Sequence, residues 1–186
     1  MEVYYIFSAL NLVALFIAAH AYKWVWYILA FLGFLMCYFL ATDRQEGSLS
    51  VCVPAAFICV LALSVWSDDE EVNREGVTWG SPMLALLESF VVGGLLYIFF
   101  HQTFRVPIFE CMGSGSLIVG IYLLCWRRVS AWIILIYSFV MYAIASFIFG
   151  NMRGGILMIA QVVLAVYGLT RYMEYYEDNK LKELKK

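Results

Sequence analysis

Gln161 is the residue whose chemistry is hardest to explain away. It sits mid-way along an apolar run from Gly154 to Tyr172. Its amide carries two donors and an acceptor with two lone pairs, and hydrocarbon satisfies none of them. Gly154 and Gly168 stand seven residues to either side. Residues at that spacing lie on nearly one stripe of a helix, and glycine on such a stripe favours close helix approach. Gln161 must therefore meet another helix or a solute. An interhelical hydrogen bond is the plain reading. The sharper one is a pocket in which Gln161 reads a polar group of a solute, completed by Trp132 and Tyr137. Trp26, Tyr38 and Tyr142 are further aromatic candidates, because paired rings can stack on a flat heterocycle. Core packing competes for each of them. Ser138 adds a hydroxyl between Tyr137 and Phe139. Glu88 is the one carboxylate well inside an apolar run, and an acid at membrane depth is a functional hypothesis by default. It is only seven residues from Ser81, so a structural hydrogen bond or exposure near the interface competes with a pore or coupling role.

These residues need spanning helices to place them. Ser130 to Phe149 runs twenty residues without Lys, Arg, Asp or Glu. A helix of that length covers roughly 30 Å, the thickness of a bilayer core. The chain as a whole has 186 residues, 64% hydrophobic and 14% charged, with mean hydropathy +0.83. A soluble domain is nearer ~45–50% apolar and ~25% charged. Seven spans follow: Val3 to Ala21, Trp24 to Ala41, Leu49 to Trp66, Pro82 to Phe100, Ile108 to Trp126, Ser130 to Phe149, and Gly154 to Tyr172. Pro54 one turn into the third span and Pro82 at the head of the fourth are both tolerated there. Ser67 to Ser81 is the long polar segment, carrying Asp68, Asp69, Glu70, Glu71 and Glu75, and it reads as a solvated linker. The tail after Glu174 is polar and ends in lysines.

Several function classes drop out. A net charge of −2 with no basic, aromatic-interleaved cluster argues against nucleic acid. The five cysteines show no C-x-x-C and no Cys/His pattern, so no metal is expected. There is no P-loop and no nucleophile elbow with partners, so no cofactor and no catalytic residue is expected. The first apolar run follows Glu2 without a basic region, which reads as a retained span rather than a signal peptide. His20, His101 and Glu110 fall at span ends, where a headgroup-level role is expected.

Orientation follows from the basic residues of short loops. Arg44, Arg105 and Arg153 fall on one side; Lys23, Arg74, Arg127, Arg128, Arg171 and the four tail lysines fall on the other, three against nine. The N-terminus is expected outside and the C-terminus in the cytoplasm.

The chain also repeats. Trp26 aligns with Trp132, Trp66 with Tyr172, Phe16 with Tyr122 and Ala62 with Gly168, each pair 106 positions apart. The expected fold is an all-α integral membrane protein with seven transmembrane helices. They form a 3+1+3 arrangement of two parallel three-helix repeats. Residues 1–66 are the first repeat, 67–107 the acidic loop plus a linker helix, 108–172 the second repeat, and 173–186 the tail.

IAAHAYKWVW (Ile17 to Trp26), SLIVGIYLLCWRRVSAWIILI (Ser116 to Ile136) and FGNMRGGILMIAQVVLAVYGLTRY (Phe149 to Tyr172) resemble the hairpins and last helix of the PnuC family of vitamin-precursor transporters. The resemblance covers most of residues 10 to 172 and is weak in the fourth span. It implies a SWEET-like bundle in a bacterial inner membrane. It also implies facilitated passage of a nicotinamide riboside-like precursor by alternating access, with Gln161 reading a ribose hydroxyl or carboxamide. Where that family tends to carry Asn, Asp and Gln, this chain has Cys52, Cys59, Gly120, Ile121, Ala131 and Ile136. Those substitutions favour the alternative, a non-transporting scaffold or subunit that uses its helices for partner contacts. The expected partners are the bilayer and a small-molecule solute; a homo-oligomer is left open.

Overall fold

The structure, a computed structural model, describes residues 2–42, 46–104 and 108–185, without the side chains of 2–9, 36, 39–42, 46–51 and 100–104. Among the described residues it is all-helical. The elements are α1 (Glu2–Ala19), α2 (Trp24–Thr42), α3 (Glu46–Val65), α4 (Glu70–Glu75), α5 (Pro82–Phe104), α6 (Ile108–Cys125), α7 (Ser130–Ile148) and α8 (Met152–Leu184). Among the described residues, four are long and apolar enough to cross a bilayer: α5, α6, α7 and α8. α1, α2 and α3 contribute shorter apolar stretches among the described residues, Leu10–Ala19, Trp24–Leu35 and Cys52–Val65. Arg44 and Arg105, two of the three basic residues expected on the outer side, lie outside the described residues, as does the side chain of His101.

The helices pack in a closed circuit: α1 on α2, α2 on α3, α3 on α6, α6 on α7, α7 on α8, and α8 back on α1. α5 leans on α6 and α7. Only 17% of its apolar window is buried, against 50% for α6, which places α5 at the rim. Gly115 of α6 meets the backbone of Gly93 of α5. Any side chain at either position would force that pair of helices apart.

Two hairpin turns have the same backbone. Ala21 closes α1 onto α2 with φ 60°, and Arg127 closes α6 onto α7 with φ 56°. An L-residue in this left-handed region costs roughly 1–2 kcal/mol, so packing must hold it there. Ala21 N–H bonds the Ala18 carbonyl at 3.0 Å and Arg127 N–H bonds the Leu124 carbonyl at 2.9 Å, equivalent partners in the two turns.

The acidic segment is more structured than a solvated linker. The acids are exposed, but Asp69 caps α4, its carboxylate accepting from the Glu71 N–H at 2.9 Å. Asn73 of α4 is buried. Its Oδ1 accepts from Ser67 N–H at 2.9 Å and Arg127 Nη1 at 3.2 Å, while its Nδ2 donates to the Ser67 carbonyl at 2.8 Å and the Ala21 carbonyl at 3.4 Å. Beyond it, Thr78 N–H bonds the Arg127 carbonyl at 3.2 Å, and Val129 N–H bonds the Thr78 carbonyl at 2.8 Å. Lys23 pairs with Asp68 at 3.2 Å. The linker therefore straps both hairpin turns.

The polar tail is helical: α8 continues through it to Leu184 without a break. Asn179 Nδ2 donates to the Arg74 carbonyl at 2.9 Å and the Glu75 carbonyl at 3.1 Å, and Lys182 pairs with Glu75 at 3.0 Å. Arg74 and Arg171 lie over the Tyr175 ring, 5.5 and 5.3 Å from its centroid. These contacts tie the helix extension to α4 in place of the tertiary support that the bundle gives the apolar part.

Candidate functional site

The strongest candidates stand just inside the strapped end. Trp132 comes five residues after the turn residue Arg127, and Trp26 five residues after Ala21. Both indoles have 0% exposure. Trp26 meets Trp66 edge-to-face, 5.3 Å between centroids at 71°. Trp132 meets Tyr172 in the same way, at 5.4 Å and 69°. The two aromatic pairs are equivalent at the 106-residue offset. Gly168 explains how a ring as large as Trp132 fits, since its Cα lies directly against the indole and leaves no room for a Cβ. All four aromatic residues belong to one buried cluster.

Their polar atoms are unequally served. Trp66 Nε1 donates to the Cys125 carbonyl at 2.8 Å, joining α3's end to α6. Trp26 Nε1, Trp132 Nε1 and the Tyr172 hydroxyl are buried and have no hydrogen-bond partner among the described residues. Each such group costs about 1–3 kcal/mol. One such indole N–H thus comes from α2 and one from α7. A hydroxyl or carbonyl of a bound solute would relieve either.

Gln161 is buried, on a stripe of α8 with Ala165, Gly168 and Tyr172. It is not level with Trp132. Trp132 rests on Gly168, seven residues further along, so roughly 10 Å of helix separates the two. Tyr137 turns elsewhere again, packing on Phe90 of α5 at 5.8 Å. Gln161, Trp132 and Tyr137 are therefore not gathered into one pocket.

Ser138 and Tyr142 sit in the α6–α7 seam. Ser138 Oγ donates to the Gly113 carbonyl at 2.7 Å, and the Tyr142 and Ser114 hydroxyls share a 2.7 Å hydrogen bond. These hydroxyls serve helix packing. Tyr38 is 65% exposed on α2. Glu88 is exposed and lines a cavity of about 260 Å³ with Ser81, Tyr122, Trp126, Arg128 and Ser130. A wider cleft of about 850 Å³ lies between α4 and the α8 extension, among Asp68, Glu71, Arg74, Tyr175 and Lys182. Of the expected solute-binding residues, Glu88 alone lines either hollow. The five cysteines are unpaired thiols, and no three His, Cys, Asp or Glu side chains converge on a metal position among the described residues.

Asn73, Arg128 and Ser130 were not singled out from sequence. The signal for Asn73 is its place 106 residues before Asn179, two amides that both bond the linker.

No family model, curated protein or solved structure matches this chain.

Proposed function

We propose that the chain is a membrane carrier with the PnuC-like 3+1+3 organisation. α1–α3 and α6–α8 are its two halves and α5 is the linker span. A small, flat, largely neutral solute of the nicotinamide riboside type passes between the halves by alternating access. The C-terminal end of α8 is cytoplasmic and the membrane is a bacterial inner membrane. One observation carries the reading: the repeated aromatic pairs, in which Trp26 and Trp132 occupy equivalent places and each keeps an unpaired indole N–H. Two such donors, one per half, suit a solute held at the boundary and released when the halves move apart. Rocking halves need a conserved geometry in each, and the shared left-handed turns supply it.

A second reading is favoured by the α6–α7 seam. Ser138, Ser114 and Tyr142 spend their hydroxyls on each other's helices. A scaffold that only presents helix faces to partners would do the same.

Uptake of labelled nicotinamide riboside, thiamine and riboflavin into proteoliposomes separates the two. The carrier reading expects uptake of at least one, reduced about tenfold in Trp26→Phe and Trp132→Phe, which keep the ring and lose the N–H. Tenfold corresponds to ~1.4 kcal/mol, within the worth of one hydrogen bond. No uptake of any of the three by well-folded protein leaves the scaffold reading standing.

A further inference from the structure

We propose that the cavity between α5, α6 and the start of α7 seats the headgroup of a zwitterionic phospholipid. Its phosphate lies toward Arg128 and Ser130, and its primary ammonium toward Glu88. The inference is independent of the carrier reading.

Glu88 and Arg128 line the same cavity of about 260 Å³. Their charges are opposite, yet no ion pair joins them, and neither side chain pairs with another described residue. Two opposite charges that line one hollow without pairing leave room for a ligand carrying both signs. An anion alone would meet the Glu88 carboxylate; a cation alone would meet the Arg128 guanidinium. Ser130 gives the second, independent observation. It is 2% exposed, lines the cavity, and its Oγ has no partner among the described residues. A phosphate oxygen accepts from such a hydroxyl, and charge-assisted bonds of that kind are about twice as strong as neutral ones.

Position argues for a lipid. Tyr122 and Trp126 form the rim, 44% and 45% exposed and 6.4 Å apart edge-to-face. Amphipathic rings of this sort mark headgroup depth. Leu84 and Leu87 stand exposed beside Glu88 on α5, so the mouth borders hydrocarbon. Glu88 lies six residues past Pro82, roughly 9 Å along the axis, and its Cβ tilts back toward the helix N-terminus and the interface. Drug-sized ligands occupy about 300–1,000 Å³; a smaller cavity suits a headgroup whose chains stay outside. A primary ammonium donates hydrogen bonds to a carboxylate, whereas a choline cannot.

The test uses the purified full chain in detergent, titrated with phosphatidylethanolamine, phosphatidylcholine or phosphatidylglycerol of the same acyl chains, and with free phosphoethanolamine, and read by native mass spectrometry. Phosphatidylethanolamine is expected to bind about tenfold tighter than phosphatidylglycerol. Glu88→Gln should erase that preference, and Arg128→Gln should weaken both zwitterionic lipids. If Arg128→Gln does not fold, Ser130→Ala takes its place with the same expected direction. Equal binding of phosphatidylethanolamine and phosphatidylglycerol, or an unchanged preference in folded Glu88→Gln, overturns the site. Tighter phosphatidylcholine overturns the ammonium contact. Free phosphoethanolamine matching the lipid at equal concentration overturns the lipid as its source.

Discussion

Ala21 and Arg127 hold the same left-handed backbone, φ 60° and 56°, at positions 106 residues apart. One side chain, Asn73, reaches both, through the Ala21 carbonyl and the Arg127 guanidinium. The two hairpins are therefore alike in conformation and joined by a single amide.

The turn conformation makes the first prediction. Ala21→Gly removes a left-handed penalty of roughly 1–2 kcal/mol but frees the unfolded chain by about 0.4–1 kcal/mol. Thermal unfolding in detergent should find it at least as stable as the parent. Ala21→Val, β-branched at a fully buried site, should lose more than ~2 kcal/mol. Equal losses for both would mean that the methyl group, not the backbone, matters at this turn.

Asn73 gives the second. Asn73→Leu strands the Arg127 guanidinium and the Ala21 and Ser67 carbonyls, and about 2–4 kcal/mol should be lost. Asn73→Asp should be no better, because its second oxygen would face two carbonyls that now accept from Nδ2. A melting temperature unchanged in Asn73→Leu would show that the strap is held by its other contacts, the backbone bridge to Arg127 and Val129 among them.

Gly168 is the third. Gly168→Ala drives a Cβ into the Trp132 ring, which Tyr172 also meets edge-to-face. Overpacking of this sort costs typically ~1–3 kcal/mol. Trp132→Phe in the same chain should recover part of it, and a double-mutant cycle measures how much. Strict additivity would contradict the contact.

The fourth concerns acid. His20, in the turn after α1, makes a 3.3 Å hydrogen bond with the Tyr167 hydroxyl. Burial first, and then the Arg171 and Arg74 charges, hold its pKa below the ordinary 6.5. The folded state favours the neutral ring, so its contribution is complete above pH 6.5 and fades as the pH falls through the lowered value. Unfolding scans should show stability dropping as the pH falls below about 6.5, and His20→Gln should flatten that part of the profile.

Sequence told much about where helices run and less about which way they face. The start of α7 at Ser130 and of α5 at Pro82 came from uncharged length and helix-start chemistry. The 106-residue offset came from a few tryptophans and tyrosines, and Trp26 and Trp132 each meet an aromatic ring edge-to-face. α4 was missed although its start signal is present: Asp69 as cap, with Glu70 and Glu71 in the first turn. A run of acids reads as loop unless the buried Asn73 is noticed. The α8 extension was missed because it lacks an apolar run, yet no Gly or Pro interrupts residues 169–186. Side-chain direction was the harder problem. In helices apolar on every side, periodicity does not separate lipid from interior, so exposed Tyr38 and Glu88 were grouped with buried Trp26, Trp132, Ser138 and Gln161.

α8 is one unbroken rod of 33 residues, about 50 Å long. A bilayer core takes up roughly 30 Å of that. The helix exceeds that thickness, and its C-terminal part is clasped to α4 by Asn179 and Lys182. Such a rod is a lever. A small tilt among the helices around Gln161 swings Leu184 through a larger arc and pulls on α4, which grips both hairpin turns through Asn73. A single helix thus runs from the buried stripe at Gln161 to the clasp on α4.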